Sequence, residues 1–92
     1  MKKAYIINYD LNNTKDYDTL FAEIHTLGGK RVLKSCWLIM SSLSAKAIRD
    51  RLLSLMDGDD GIFVVRAHGA AAWRNVECAN KWLKENLQSQ MA

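Results

Sequence analysis

The centre of the chain reads GGKRVLKSCWLIM at positions 28–40, and this stretch limits how the flanking elements can be arranged. Its apolar run from Val32 to Met40 predicts strand structure but is too long for one typical strand. Lys34 and Ser35 interrupt the run, so the sequence predicts either two strands or one long bent strand with a bulge at that point. The two glycines before it are typical of the end of a helix.

On the N-terminal side, a helix is predicted from Asp16 to the glycine pair, because apolar residues recur at helical spacing. Thr14 is its predicted N-cap, and Asp16 and Asp18 favour the positive end of the helix dipole. Residues 3–9 are rich in β-branched and aromatic side chains, which predicts a strand followed by a turn that begins at Asp10. The apolar stripe of the helix consists of Tyr17, Leu20, Phe21, Ile24 and Leu27.

On the C-terminal side, Ser44 is the predicted N-cap of a second helix. The acidic segment 57–61 has the composition of a turn, and residues 62–65 predict a strand. A third helix is predicted at roughly 75–87, with Trp82 beside its apolar face. The predicted apolar faces are Ile48, Leu52, Leu55 and Met56 for the second helix, and Val76, Ala79, Leu83 and Leu87 for the third.

This order of elements predicts an α+β fold, a ferredoxin-like βαββαβ antiparallel sheet with helices on one face. Residues 1–67 would form that core, and residues 68–92 would add a C-terminal loop and helix within the same single domain. The other face of the sheet then needs a cover. A second copy of the chain, the C-terminal helix, or both would provide it.

The composition is that of one soluble domain. The hydrophobic fraction of 49% is ordinary, but a chain of 92 residues buries only a modest core, and oligomerisation is a natural way to bury more surface. The net charge of +3 is compatible with phosphate binding and equally with an ordinary soluble surface. Cys36 and Cys78 are far apart and form neither a zinc nor a disulfide pattern. With no signal peptide or membrane-length run, the sequence predicts a cytoplasmic protein without a membrane partner.

Short motifs add a resemblance to a known family. Tyr9-Asp10 at the end of the first strand resembles the Tyr-Asp signature of the CRISPR-associated protein two family. The segment GKRVLKSCW at 29–37 resembles that family's glycine, Arg-Val-Gln-Lys-Ser and aromatic segment, with Leu33 in place of Gln. Leu43-Ser44 and the acidic turn follow in the family's order, so the resemblance covers about residues 3–67. Toxins of the virulence-associated protein D type are similar in outline.

The resemblance implies a homodimer in which Asp10 of both chains lies near the two-fold axis and holds Mg²⁺ or Mn²⁺. It therefore implies a metal-dependent nuclease that hydrolyses RNA or DNA phosphodiesters, with Asp10 as both the metal ligand and the catalytic residue. An aspartate before Leu-Asn-Asn is also an ordinary turn former. In the family, a final strand is often exchanged between protomers, and C-terminal elements dock onto the CRISPR integrase. That strand is not evident in residues 68–92, so the dimer and the integrase contact are expected to differ from those of the family.

Five further residues are candidates for contact with nucleic acid. They are Tyr9, Lys30, Arg31, Lys34 and Ser35. On a strand, Lys30 and Lys34 would share one face and Arg31 would lie on the other. Core or interface packing for the tyrosine, a bulge for the serine and a solvated rim for the basic residues are the alternatives.

The sequence leaves three functions open. The first is the homodimeric nuclease. The second is a non-catalytic protein of the same fold that binds nucleic acid or scaffolds a protein partner. The third is a toxin–antitoxin component whose C-terminal helix meets an antitoxin.

Overall fold

The computed structural model describes residues 1–13 and 16–87. Within them four strands and three helices form a small α+β fold, as the sequence predicts. The elements are β1 (Lys3–Asp10), α1 (Asp18–Thr26), β2 (Gly29–Leu33), β3 (Cys36–Ser41), α2 (Ala45–Leu53), β4 (Gly61–Arg66) and α3 (Asn80–Asn86).

The four strands form one antiparallel sheet in the order β2-β3-β1-β4. The strands β1 and β3 are therefore central, while β2 and β4 lie at the edges. Ile7 of β1 shows the register, since it lies opposite Trp37 of β3 on one side and Val64 of β4 on the other. The apolar character of β1 and β3 follows from this central position.

The apolar run at the centre of the sequence folds into two strands joined by a tight turn at Lys34 and Ser35. Of the two predicted alternatives, the structure has the first. The irregularity in the ladder lies slightly earlier, between Arg31 and Leu33. A bulge there changes the alternation of side chains before the turn.

One face of the sheet carries both α1 and α2. Because side chains alternate along a strand, every second residue of β1 and β3 points toward these helices. The helices meet them with part of the predicted apolar stripes, since Leu20, Ile24, Ile48 and Leu52 are buried. The prediction that Leu55 and Met56 belong to the second helix is wrong, because α2 ends at Leu53 and these two residues pack partly buried against the core from the turn that follows. The fully or nearly fully buried members of this core are Tyr5, Ile7, Tyr17, Leu20, Ile24, Trp37, Ile39, Ile48 and Leu52.

The C-terminal segment covers part of the opposite face. Leu83 of α3 is only 1% exposed and packs against Ala4 of β1 and Leu38 of β3. Of the predicted covers for this face, the C-terminal helix is thus present within the chain itself. It lies over the β2–β3 side of the sheet and is joined there by Val32 and Trp73.

The third helix is shorter than predicted, and the predicted start at 75 is wrong. The helix begins at Asn80 because the residues before it are held in another conformation. Asn75 has a left-handed φ of 55°, and the amide of Glu77 donates to the carbonyl of Val32 at 2.9 Å. That bond ties the segment to the outer edge of β2 and prevents an additional helical turn.

The first helix begins at Asp18, two residues later than predicted. The side chain of Asp16 accepts a hydrogen bond from the amide of Asp18 at 2.8 Å and so satisfies one of the free amides at the helix start. The predicted N-cap Thr14 lies outside the described residues. For the second helix the prediction is confirmed, because the Ser44 hydroxyl accepts from the Ala47 amide at 3.1 Å.

The glycine pair ends α1 and turns the chain directly into β2. Gly28 has a φ of 95°, a conformation that residues with a side chain rarely adopt. Its carbonyl accepts from the Met40 amide at 3.2 Å, which extends the pairing of this end of the hairpin. No helix in the described part of the chain is long and apolar enough to cross a membrane.

Candidate active site at the end of the central strand

Three elements meet at one end of the sheet, namely the end of β1, the β2–β3 turn and the start of β4. The Tyr9 amide donates to the Ser35 carbonyl at 3.1 Å, which joins β1 to the turn. Asp10 lies opposite Gly61, the first residue of β4. The structure therefore brings Tyr9, Asp10, Lys34 and Ser35 to the same end of the sheet.

Asp10 is exposed and lies on the face of the sheet opposite α1 and α2. It borders a shallow groove of about 310 Å³ that is lined by residues 8–10 of β1 and 61–63 of β4. Gly61 contributes no side chain opposite Asp10, and a Cβ there would lie 3.7 Å from the Asp10 Cβ. The carboxylate consequently has open space beside it on the β4 side.

An apolar patch adjoins Asp10 on the same face. Alternation along the strands places Phe63 of β4 opposite Asn8 and Val65 opposite Ile6 on the same face as Asp10. We call Phe63 and Val65 the β4 patch. Phe63 is 63% exposed and Val65 is 40% exposed, because α3 lies over the β2–β3 half of this face and does not reach β4.

The acidic turn between α2 and β4 is bound to the loop after β1. Asp60 accepts from the Asn12 amide at 2.8 Å and from the Tyr17 hydroxyl at 2.9 and 3.0 Å. Burial and the hydrogen bond to Asp60 both raise the pKa of Tyr17. Asn13 donates to Asp57 at 2.7 Å and to Asp59 at 2.9 Å. These carboxylates thus hold the turn in place beside the loop after β1.

One chain alone offers Asp10 few partners for binding a metal. Among the described residues, no group of three or more His, Cys, Asp or Glu side chains could hold a metal ion. A divalent cation such as Mg²⁺ needs near-octahedral oxygen coordination, of which one carboxylate supplies a small part. A metal site at Asp10 therefore requires further ligands from outside the chain.

Tyr9 lies on the helix-covered face, unlike its neighbour Asp10. Its ring stacks on Phe21 with centroids 5.9 Å apart. Its hydroxyl accepts from the Trp37 indole at 3.0 Å and donates to the Lys34 carbonyl at 3.2 Å. The tyrosine thereby fixes the β2–β3 turn against the end of β1, next to Asp10.

Arg31 packs between aromatic rings on that same helix-covered face. Its guanidinium lies 4.6 Å from the Phe21 ring centroid and 5.0 Å from that of Trp37, and it also donates weakly to the Tyr9 hydroxyl at 3.4 Å. Stacking of this kind suits the planar, weakly hydrated guanidinium. The cation therefore belongs to the packing of the fold.

The other basic candidates have different positions. Lys30 lies over the Trp82 ring at 5.3 Å, on the face opposite Arg31 as predicted. The prediction that Lys34 shares a strand face with Lys30 is wrong, because β2 ends at Leu33 after an irregularity and Lys34 lies in the turn. Lys34 and Ser35 are exposed in the turn, near Asp10. Nucleic-acid contact by all five candidates stays a prediction, and these two residues are the ones both exposed and close to Asp10.

The hydroxyl of Tyr9 offers a test of this packing. Tyr9→Phe leaves the nearly buried Trp37 indole N–H without its acceptor, and we expect the free energy of unfolding to fall by about 1–3 kcal/mol. Tyr5→Phe is the control, because the Tyr5 hydroxyl has no hydrogen bond to any described residue. Urea denaturation measures both, and equal losses would show that the hydroxyl bond is unimportant.

The fold of this chain is shared with a protein of known structure. No family model matches the chain. The crystal structure of a hypothetical protein, TT1823, from Thermus thermophilus is similar, with a TM-score of 0.66 and 20% sequence identity. The match covers 85% of this chain and 98% of that chain. At that identity the likeness shows a shared fold alone.

Proposed function

We propose that the protein is a homodimeric, metal-dependent nuclease in which Asp10 of two copies forms the site. The observation that carries this proposal is the position of Asp10. Its carboxylate is exposed at the border of an apolar patch that α3 leaves uncovered. Packing of two β4 patches about a two-fold axis would bury Phe63 and Val65 and bring the two carboxylates near each other.

We further propose that the domain is ferredoxin-like and related to the CRISPR-associated protein two family. Read from the β4 edge, the strand order is β4-β1-β3-β2, which supports the split βαβ arrangement. The Tyr9-Asp10 pair and the segment 29–37 support the family assignment. Tyr9-Asp10 and the turn of that segment, Lys34-Ser35, lie at the same end of the sheet, which supports a shared site.

The residues fit a divalent metal in the dimer, although not in one chain. Two carboxylates, water molecules and a phosphate oxygen of the substrate provide the oxygen ligands that Mg²⁺ or Mn²⁺ prefers. A metal bound there would activate water for attack on a phosphodiester and offset the charge of the leaving oxygen. Asp10 supplies negative charge and orientation, while Lys34 and Ser35 would contact the nucleic-acid backbone beside it.

Substitution at the β4 patch tests the dimer. Phe63→Glu places a charge at the centre of the proposed interface, and we expect it to weaken dimerisation by at least about 100-fold, as for an interface hot spot. Sedimentation velocity over a range of concentrations measures the change. Leu53→Glu, at an exposed position of α2 on the other side of the sheet, is the matched control. A monomeric wild type, or equal effects of both variants, would contradict the proposed interface.

A non-catalytic nucleic-acid-binding protein is the second candidate. It is favoured by the single carboxylate that each chain brings to the site, together with the exposed Lys34 and Ser35 beside it. One assay separates the two candidates, namely incubation of labelled RNA and DNA with the protein in Mg²⁺, Mn²⁺ or EDTA. The nuclease requires cleavage that EDTA abolishes. Binding that persists in EDTA without any cleavage supports the second candidate.

The partners are proposals as well. The apolar face of α3 is already used within the domain, since Leu83 packs on the sheet. This leaves less apolar surface on the C-terminal helix for an antitoxin. The β4 patch is the surface that we propose for a second copy, and a CRISPR integrase would have to bind elsewhere on such a dimer.

A further inference from the structure

A second polar residue lies beside Asp10 in the groove between β1 and β4. Asn8 comes two residues before Asp10 on β1, so its side chain points to the same face of the sheet. Both residues are exposed, and both line the groove. The intervening Tyr9 points to the helix-covered face instead. Among the described lining residues, Asn8 and Asp10 are therefore the polar side chains on the open face of the groove.

The asparagine contributes no side-chain bond to the strand that carries it. Asparagine is depleted in strands, and Asn8 follows two isoleucines in the central strand β1. Within the described part of the chain, its side-chain amide forms no hydrogen bond. In the same part of the chain, the Asp10 carboxylate forms neither a hydrogen bond nor an ion pair. The amide oxygen of Asn8 is therefore available to a ligand from outside the chain.

The neighbours of Asn8 across the sheet are uncharged. Asn8 lies opposite Phe63 of β4 on one side and opposite Cys36 of β3 on the other. The exposed Phe63 forms an apolar side of the groove, while Gly61 leaves open space opposite Asp10. Neither neighbour of Asn8 therefore places a charge beside its amide.

The spacing of the two residues allows both side chains to reach one cation. Cα atoms two residues apart on a strand are about 7 Å apart, and the side chains of Asn and Asp have the same length. Mg²⁺ holds its oxygen ligands at about 2.1 Å, so adjacent oxygens of an octahedral site lie about 3 Å apart. If each side chain leans about 2 Å along the strand toward the other, the two oxygens reach that separation. Asn8 and Asp10 can thus bind the same ion.

We propose that the amide oxygen of Asn8 is a second metal ligand of each chain, beside the Asp10 carboxylate. The inference rests on the proposed function, since it concerns the same Mg²⁺ or Mn²⁺ site. Two chains would contribute four oxygens to an octahedral site, and the remaining positions are left to water and to a phosphate oxygen of the substrate. An amide oxygen adds a ligand without adding negative charge, so it does not repel the anionic phosphate as a further carboxylate would.

A titration with Mn²⁺, followed by the electron paramagnetic resonance signal of the free ion, tests the proposal without any cleavage assay. We expect Asn8→Ala to weaken Mn²⁺ binding by at least about tenfold, because a ligand is lost. Asn8→Asp should bind Mn²⁺ at least as tightly as the wild type, since a carboxylate oxygen replaces the amide oxygen. Cys36→Ala is the matched control, because it truncates the neighbour of Asn8 on the same face and should leave Mn²⁺ binding unchanged.

A second measurement uses the wild type and depends on no variant. In NMR spectra, addition of Mg²⁺ should shift the side-chain amide signals of Asn8, whereas those of Asn86, which donates to the Trp82 carbonyl, should not move. The inference is overturned if the Asn8 amide does not shift, or if Asn8→Ala and Cys36→Ala bind Mn²⁺ with equal affinity. If Asp10→Asn loses Mn²⁺ binding while Asn8→Ala retains it, Asn8 is excluded and the proposed function stands. If the wild type binds no Mn²⁺, or Asp10→Asn binds it equally well, the proposed function fails together with this inference.

Discussion

Asp10→Asn is expected to reduce Mg²⁺- or Mn²⁺-dependent cleavage of labelled RNA and DNA by on the order of 100-fold or more. The amide retains the size of the side chain but removes its negative charge. In a symmetric dimer the substitution removes the charge from both halves of the site at once. Because Asp10 is exposed and the groove beside it is open, the fold should tolerate the change.

A carboxylate elsewhere on the surface provides the control for this experiment. Glu85→Gln makes the same change of charge on the exposed side of α3 and should leave cleavage unaltered. Cleavage that survives Asp10→Asn would remove Asp10 from the proposed site. If wild type and variant are both inactive yet bind nucleic acid, the binding protein becomes the better description.

The second large effect is expected at Gly28. Gly28→Ala introduces a Cβ at a φ of 95° and places it 2.6 Å from the Met40 carbonyl oxygen. The positive φ costs on the order of 1–2 kcal/mol, and the clash adds to that cost. We expect the free energy of unfolding to fall by about 2–4 kcal/mol, measured by urea denaturation.

Gly58→Ala is the matched control for this prediction. A Cβ at Gly58 meets nothing within 4 Å, so the same chemical change should alter stability by less than about 1 kcal/mol. Similar losses at both positions would show that the general effect of replacing glycine dominates. The close approach at Met40 would then not explain the result.

Local signals predicted most of the fold. Ser44 was identifiable as a cap because its hydroxyl satisfies an amide only three residues away. The turn at Lys34 and Ser35 could be predicted because two polar residues interrupt an apolar run. The start of the third helix was predicted too early, because the hydrogen bond from Glu77 to Val32 joins residues far apart in sequence. Helical periodicity contains no information about such a contact.

The candidate site was only partly predictable for the same reason. Asp10 follows from its position at the end of a strand and from the motif it shares with Tyr9. The exposure of Phe63 and Val65 does not, because the run at 62–65 is equally typical of a strand buried on both faces. These residues stay uncovered because α3 lies over the β2–β3 half of their face and not over β4. Likewise, the charge of Arg31 suggests a surface residue, although two aromatic rings enclose it.

The two edges of the sheet differ in a way that limits how chains can assemble. At Val32 the carbonyl on the outer edge of β2 already accepts from Glu77, while β4 has no strand beyond it among the described residues. Growth of a filament needs two available surfaces on every subunit, one for the previous chain and one for the next. This chain, whose β2 edge is partly occupied by the segment before α3 and whose exposed Phe63 and Val65 lie on β4, offers β4 as the more available of its two edges. Its association through that side would end at a pair.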